Sequence, residues 1–134
     1  MATILAHITV RPGDEARFEA LARDMWAATH AEEPGVRRYE YWRGAEPGTY
    51  YTLESFDDHR AFIAHQTSDH HETAGPQLRE VIDSLRLEWL DPVAGASGLG
   101  PTEHQPAPEG ADELTRRYTD KYAADVAAWW KTLR

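Results

Sequence analysis

From Thr3 to Val10 the side chains alternate, with Ile4, Ala6, Ile8 and Val10 on one face and Leu5, His7 and Thr9 on the other. That period of two is the mark of a strand with two unlike faces. Arg11-Pro12-Gly13 turns the chain and Asp14 offers a helix cap. Phe18, Leu21, Ala22, Met25 and Thr29 then return at helical spacing, which predicts a helix from about Asp14 to His30. Glu33-Pro34-Gly35 stops that helix. Val36 to Arg43 and Thr49 to Phe56 read as strands joined by a hairpin turn over Gly44 to Gly48, hence an antiparallel pair. Asp57-Asp58 can cap a short helix carrying Ala61, Phe62 and His65. Gln77 to Ser84 reads as helix and Leu85 to Leu90 as a last strand. The order matches an α+β, ferredoxin-like split βαβ plan with an antiparallel sheet and helices on one face. If the other face is as apolar as Ile4, Ala6, Ile8 and Val10, a second copy is its cheapest cover, so a homodimer is expected.

Composition shifts after residue 90. Residues 91–110 hold four Pro, four Gly and no basic residue, a linker composition. Beyond it, Leu114, Tyr118, Tyr122, Val126, Trp130 and Leu133 recur every three or four residues. The expected partition is a ferredoxin-like domain over 1–93, a Pro/Gly-rich linker over 94–110 and an amphipathic C-terminal helix over 111–134, docked on the dimer rather than solvated.

Charge and residue inventory narrow the function. With 14 Lys+Arg against 23 Asp+Glu the net charge is −9, which argues against a phosphate-backbone partner; no nucleic acid is expected. The absence of Cys removes disulfides, thiolate metal sites and a Cys nucleophile. No run approaches the ~20 apolar residues of a membrane span, and MATILAHITV lacks the shape of a signal peptide, so a cytoplasmic protein with no membrane partner is expected.

Seven histidines are the most informative polar set. His65 and His70 differ by five residues across a Thr67-Ser68-Asp69 break, so they meet only if the chain bends there; neither they nor His59 show the four-residue spacing of a helical metal pair. A metal site would need tertiary convergence, and none is expected. Acid/base work asks less, because imidazole titrates near pH ~6.5. His7, which interrupts an apolar strand on the face opposite Ile4 and Ile8 where the helices are expected, is the leading candidate, against the plain reading of a buried structural histidine. His59 and His71 are expected to be solvated. Arg37-Arg38 should face solvent or pair with carboxylates.

The runs ILAHITVRPGDEARFEALARDM, EEPGVRRYEYWR and TLESFDDHRAFIAHQTSDHH resemble the antibiotic biosynthesis monooxygenase family over residues 3–93. Arg11-Pro12-Gly13 with Phe18, Glu33-Pro34-Gly35, and Glu54, Ala61, Phe62, His65, Ser68, His70 and His71 match its motifs, while Phe56 stands where the family usually has Trp and Asp58 where it usually has Ser. The resemblance implies a dimeric α+β barrel that oxygenates electron-rich aromatics of polyketide, anthrone or hydroquinone type with O2, without flavin, haem or metal. His7, His65 and His70 are then the expected catalytic residues, with Met25, Trp26, Tyr39 and Phe62 lining the substrate cavity and no cofactor. A haem-degrading branch with this fold uses an Asn, a Trp and a His where this chain has His7, His65 and Gly75, and ranks lower. A non-oxidative cyclase or isomerase, or a small-molecule-binding protein without turnover, are the rival readings.

Overall fold

A computed structural model describes all residues, 1–134. Its elements are β1 (Ala2–Val10), α1 (Glu15–Glu32), β2 (Val36–Arg43), β3 (Thr49–Phe56), α2 (His59–Gln66), α3 (Asp69–Val81), β4 (Ile82–Leu90) and α4 (Glu113–Lys121), followed by a single 3-10 turn, Trp130–Thr132. Gly48, at φ +75°, makes the β2–β3 hairpin turn without the Cβ clash a larger residue would meet. The Asp58 carboxylate accepts from Ala61 N at 2.8 Å and so starts α2, as its position implied. Asp14 stands at the N-cap of α1 but makes no capping bond.

The third helix starts earlier than its apolar spacing predicts, at Asp69 rather than Gln77, and it ends before Ile82. Ser68 Oγ accepts from His71 N and the acids Asp69 and Glu72 occupy the first turn, where the helix dipole favours them. At the other end Arg11 N donates to Val81 O and Ile82 pairs with Val10, so 82–84 join the sheet instead of the helix.

The sheet runs β2-β3-β1-β4, every neighbouring pair antiparallel: the ferredoxin-like order the element pattern predicts. The helices, however, cover the other face from the one expected. Ile4, Ala6, Ile8 and Val10 lie under them, Ile4 with Met25, Phe56 and Phe62, and Ala6, Ile8 and Val10 with Phe18, Ala22 and Tyr50. Fully apolar side chains gain most from that dry side. The face left open carries Leu5, His7, Tyr51 and Leu53, half-buried, and so is less apolar than the expected uncovered one.

The C-terminal extension also departs from expectation. Residues 91–110 are not a free spacer. Thr102 is fully buried: its Oγ1 accepts from Thr3 N at 3.1 Å and donates to Leu90 O at 2.5 Å, while its N–H donates to Asp91 Oδ1. Arg134 closes the loop, its guanidinium on Asp91, Glu103 and Thr102 O. The helix expected to reach residue 134 stops at Lys121. Its continuation would need the Tyr122 carbonyl and the Ala124 N–H for its own ladder, but His59 Nε2 donates to Tyr122 O at 2.9 Å and Ala124 N donates to His104 Nδ1 at 3.2 Å. Of the expected stripe, Tyr118 and Tyr122 pack on the core beside Phe62, whereas Leu133 is exposed.

Candidate functional site

Between α1 and β2 runs a groove of about 560 Å³ whose walls include Phe18, Trp26, Tyr41, Trp42 and Tyr50. It arises because the helical repeat of α1 turns Phe18, Ala22 and Trp26 toward the edge strand β2. The aromatic walls suit a flat ligand, and Trp26 and Trp42 remain substantially exposed at the rim. Charges flank it in an ordered way. Arg43 grips Glu19 through two 2.7 Å bonds, and Tyr50 donates to the same carboxylate at 2.9 Å. The Arg43 hydrogen bonds hold the Glu19 carboxyl well below its usual range. Arg23, mostly exposed, lies 3.9 Å from the same carboxylate.

Behind the groove lies a buried polar array. Tyr41, on the groove wall, places its hydroxyl 3.1 Å from that of Tyr39. Desolvation raises both phenols, so they hold their protons and act as hydrogen-bond donors. Tyr39 stands opposite Glu54 across the β2–β3 pair. Glu54 is buried, its Oε2 has no hydrogen-bond partner, and burial first and the nearby Glu33 second push its carboxyl up to about 8. A carboxyl in that range is protonated at neutral pH and takes part in proton transfer close to it.

The Tyr39 ring also packs on His65, with centroids 4.8 Å apart. His65, at the end of α2, donates from Nδ1 to Glu33 Oε1 at 2.8 Å, and His70, in the first turn of α3, places Nε2 2.7 Å from the same oxygen. One oxygen donor from Glu33 and one nitrogen from each histidine all lie within 4.8 Å of one another, a set able to hold a cation. His71 stacks edge-on against His65, centroids 4.9 Å apart, and desolvation depresses its imidazole to about 3, which keeps it neutral.

The expected site residues therefore divide. His65 and His70 do converge, because Ser68 bends the chain between them, but on Glu33 rather than on the groove. His7 does not join them: it points to the open face of the sheet, with Nε2 2.8 Å from Glu88 Oε2 and its ring 5.5 Å from Tyr51. The expectation that helices cover His7 is overturned, because the apolar set Ile4, Ala6, Ile8 and Val10 claims them. Of the expected cavity residues only Trp26 lines the groove; Met25, Tyr39 and Phe62 belong to the packed core. His59 and His71, expected in solvent, are enclosed: both His59 nitrogens face carbonyls, of Gln105 and Tyr122. Glu33 and Glu54 were missed as site residues. Glu54 had one signal: an acid inside Thr49–Phe56 that strict alternation places on the same face as Tyr50 and Thr52. Glu33 stands out only as part of the Glu-Pro-Gly motif, which reads as a helix stop and says nothing of the histidines it meets.

The family model described as antibiotic biosynthesis monooxygenase matches residues 1–77. A proposed antibiotic biosynthesis monooxygenase from Caulobacter crescentus is 30% identical, with a TM-score of 0.66 over 69% of this chain and 89% of its own. Rv0793 from Mycobacterium tuberculosis is 25% identical, with a TM-score of 0.65 over 72% of this chain and 98% of its own. PA3566 from Pseudomonas aeruginosa, at 22% identity and a TM-score of 0.65, shares the fold. No curated protein matches the chain. No helix is long and apolar enough to cross a membrane.

Proposed function

Because the chain belongs to the antibiotic biosynthesis monooxygenase family, we propose that it oxidises a flat, electron-rich aromatic of polyketide, anthrone or hydroquinone type with O2, bound in the groove between α1 and β2. The observation that carries this reading is the pairing of an aromatic-walled groove with the Tyr41–Tyr39 hydroxyl pair and the buried Glu54 behind it.

For an anthrone the step balances without a further reductant. The methylene carbon loses a proton, and the resulting carbanion, delocalised onto the ring oxygen, gives an electron to O2. Radical recombination makes a C–O bond, and loss of water from the hydroperoxide leaves a carbonyl, so CH2 and O2 become C=O and H2O. The protein's share is to orient the ring between Trp26 and Tyr50, to donate from Tyr41 to the developing oxyanion, and to exclude water. Glu54, opposite Tyr39 across the β2–β3 pair, is the proton acceptor behind the tyrosines in its ionised form, so the rate is expected to rise as pH approaches about 8. Arg23 offers charge to an anionic substituent. The electrons come from the substrate, so no flavin, haem or nicotinamide is required.

In this reading the active species is a homodimer, formed by two open sheet faces, with Leu5, Tyr51 and Leu53 at the seam.

The test is oxygen uptake with an anthrone or quinol by the protein purified without added flavin or nicotinamide. Tyr41→Phe is expected to lower kcat about 10²-fold, in line with the loss of one oxyanion donor, and Trp26→Ala to raise the dissociation constant about tenfold. Turnover that continues without oxygen would assign a cyclase or isomerase instead, and an unchanged rate in Tyr41→Phe would remove the groove from the reaction.

A further inference from the structure

Away from the groove, the corner where α1, α2 and α3 meet holds a second constellation that oxygenation of the aromatic does not use. Glu33 caps the C-terminus of α1, His65 lies at the end of α2 and His70 opens α3. All three side chains are at least mostly buried, at 13%, 1% and 14% exposure. We propose that Glu33, His65 and His70 bind one Zn²⁺ ion, which ties the three helices together and keeps a fourth coordination position facing solvent.

Four observations carry this. The donor set is two imidazole nitrogens and a carboxylate, which suits a borderline first-row metal and not Ca²⁺ or Mg²⁺. The donors are already gathered: around a tetrahedral Zn²⁺ with bonds of about 2.0–2.2 Å they would stand roughly 3.3 Å apart, the 2.7 and 2.8 Å contacts to Glu33 would open by about half an ångström, and all three donor atoms lie within 4.8 Å of one another.

The outer contact of His70 fits as well, while the other ring nitrogen of His65, Nε2, is buried without a partner. His70 Nδ1 lies 3.3 Å from Glu32 Oε2, so when Nε2 binds the metal, Nδ1–H donates to a carboxylate, the arrangement that orients metal-bound histidines. Without a cation, His70 has both ring nitrogens against carboxylates and His65 shares the Glu33 oxygen with it. That geometry calls for positive charge between the acids. Ser68 Oγ, 3.2 Å from His70 Nε2, and Thr29 Oγ1, 3.4 Å away, lie near the position the ion would take and give way to it.

Finally, there is access. Glu33 and His70 form one wall of a pocket of about 570 Å³ whose other residues include Glu32, Asp57, Asp58 and Ser68. Asp57 is engaged by Arg37 and Asp58 caps α2, while Glu32, mostly exposed beside His70, adds its charge at the mouth. An acidic opening in a chain of net charge −9 draws cations in. Three protein ligands with one position open toward that pocket is the pattern of a site that exchanges water or takes a small anionic ligand.

The experiment is calorimetric titration of the chelator-stripped full-length protein with ZnCl2, paired with Co²⁺ absorption and thermal melting. One ion per chain is expected, with visible Co²⁺ bands of four-coordinate strength and a melting temperature several degrees higher with Zn²⁺. His70→Ala and Glu33→Gln, each checked for native circular dichroism, should weaken binding at least 100-fold and remove the melting shift, while Glu32→Gln should weaken it about tenfold, as loss of an outer contact does. His7→Ala, on the far face of the sheet, should bind as the parent does. Absence of saturable binding, or binding untouched by His70→Ala and Glu33→Gln, overturns the site and leaves a proton-shared Glu–His pair. Binding of an aromatic ligand in the groove, followed by fluorescence in the same samples, reads out the oxygenase proposal separately, so failure of either is recognisable on its own.

Discussion

Glu54 is the residue at which stability and chemistry meet. Its carboxyl titrates at about 8 in the folded chain, against 4.5 for an ordinary glutamate, because burial penalises the charged form. The folded state therefore keeps a proton that the unfolded chain has given up between those values, and stability contributed by this group falls as pH rises from 4.5 to 8. Glu54→Gln keeps the shape and removes the titration. It should flatten the decline in chemical-denaturation stability between pH 5 and 8, with the variant as stable as the parent at pH 5 and more stable at pH 8. An unaltered slope would mean that Glu54 is not the group responsible. If Glu54 is also the proton acceptor, the same variant loses turnover while it gains stability at pH 8, the trade expected where a buried acid is kept for function. Alternation puts that acid on the face of Tyr50 and Thr52, but its neighbours are not legible in one dimension: Glu54 pairs with Ile4 and Tyr39 only once β3 lies between β1 and β2.

At the scale of elements, local patterning was a good guide wherever a strand or helix satisfies its own backbone, and a poor one where a distant group intervenes. β1, β2, β3 and α2 fall within a residue or so of where periodicity and turn residues put them, and Pro34-Gly35 ends α1 as expected. The sheet order followed from that succession. Which face the helices would cover did not, because Leu5 and Leu53 make the open face apolar enough to mimic a core in sequence. The C-terminal extension shows the same limit, since the clamp of His59 on Tyr122 O that ends α4 spans 63 residues. Histidines 65 and 70 were legible as a pair needing a bend, yet their partner Glu33 lies some thirty residues earlier. The extension yields its own prediction. Tyr118 and Tyr122 pack beside Phe62, and burying such rings stabilises by about 1.5–3 kcal/mol each, so a chain ending at Pro92 should melt at least about 5 °C lower by calorimetry. An unchanged melting temperature would mean that the extension docks without stabilising the domain.

For the molecule as a whole, the open face of the sheet is the surface on which the proposed pairing rests. Leu5, His7, Tyr51 and Leu53 form its middle, with Arg38, Glu40, Arg86 and Glu88 around them. An apolar centre with a charged rim is the anatomy of a face that pairs with its own copy. Light scattering should return twice the 15.2 kDa chain mass, and Leu53→Glu should halve it by placing a charge at the seam; a parent protein that runs as a monomer across a broad concentration range would refute the pairing.

The position of β1 in the sheet has a bearing on how the chain is made. Of the four strands of this sheet it is made before the others, yet it is central, and both of its neighbours come later: β3 about fifty residues on, β4 about eighty. A further hydrogen-bond partner, Thr102, which accepts from Thr3 N near the start of the strand, is 99 residues from Thr3. Contacts at such separation close slowly, because the entropy of a long loop is lost before the pairing is gained. Until β3 and β4 have been made, the nascent chain therefore carries Ile4, Ala6 and Ile8 on a strand with an incomplete sheet, and the domain closes only once the segment through Thr102 is available.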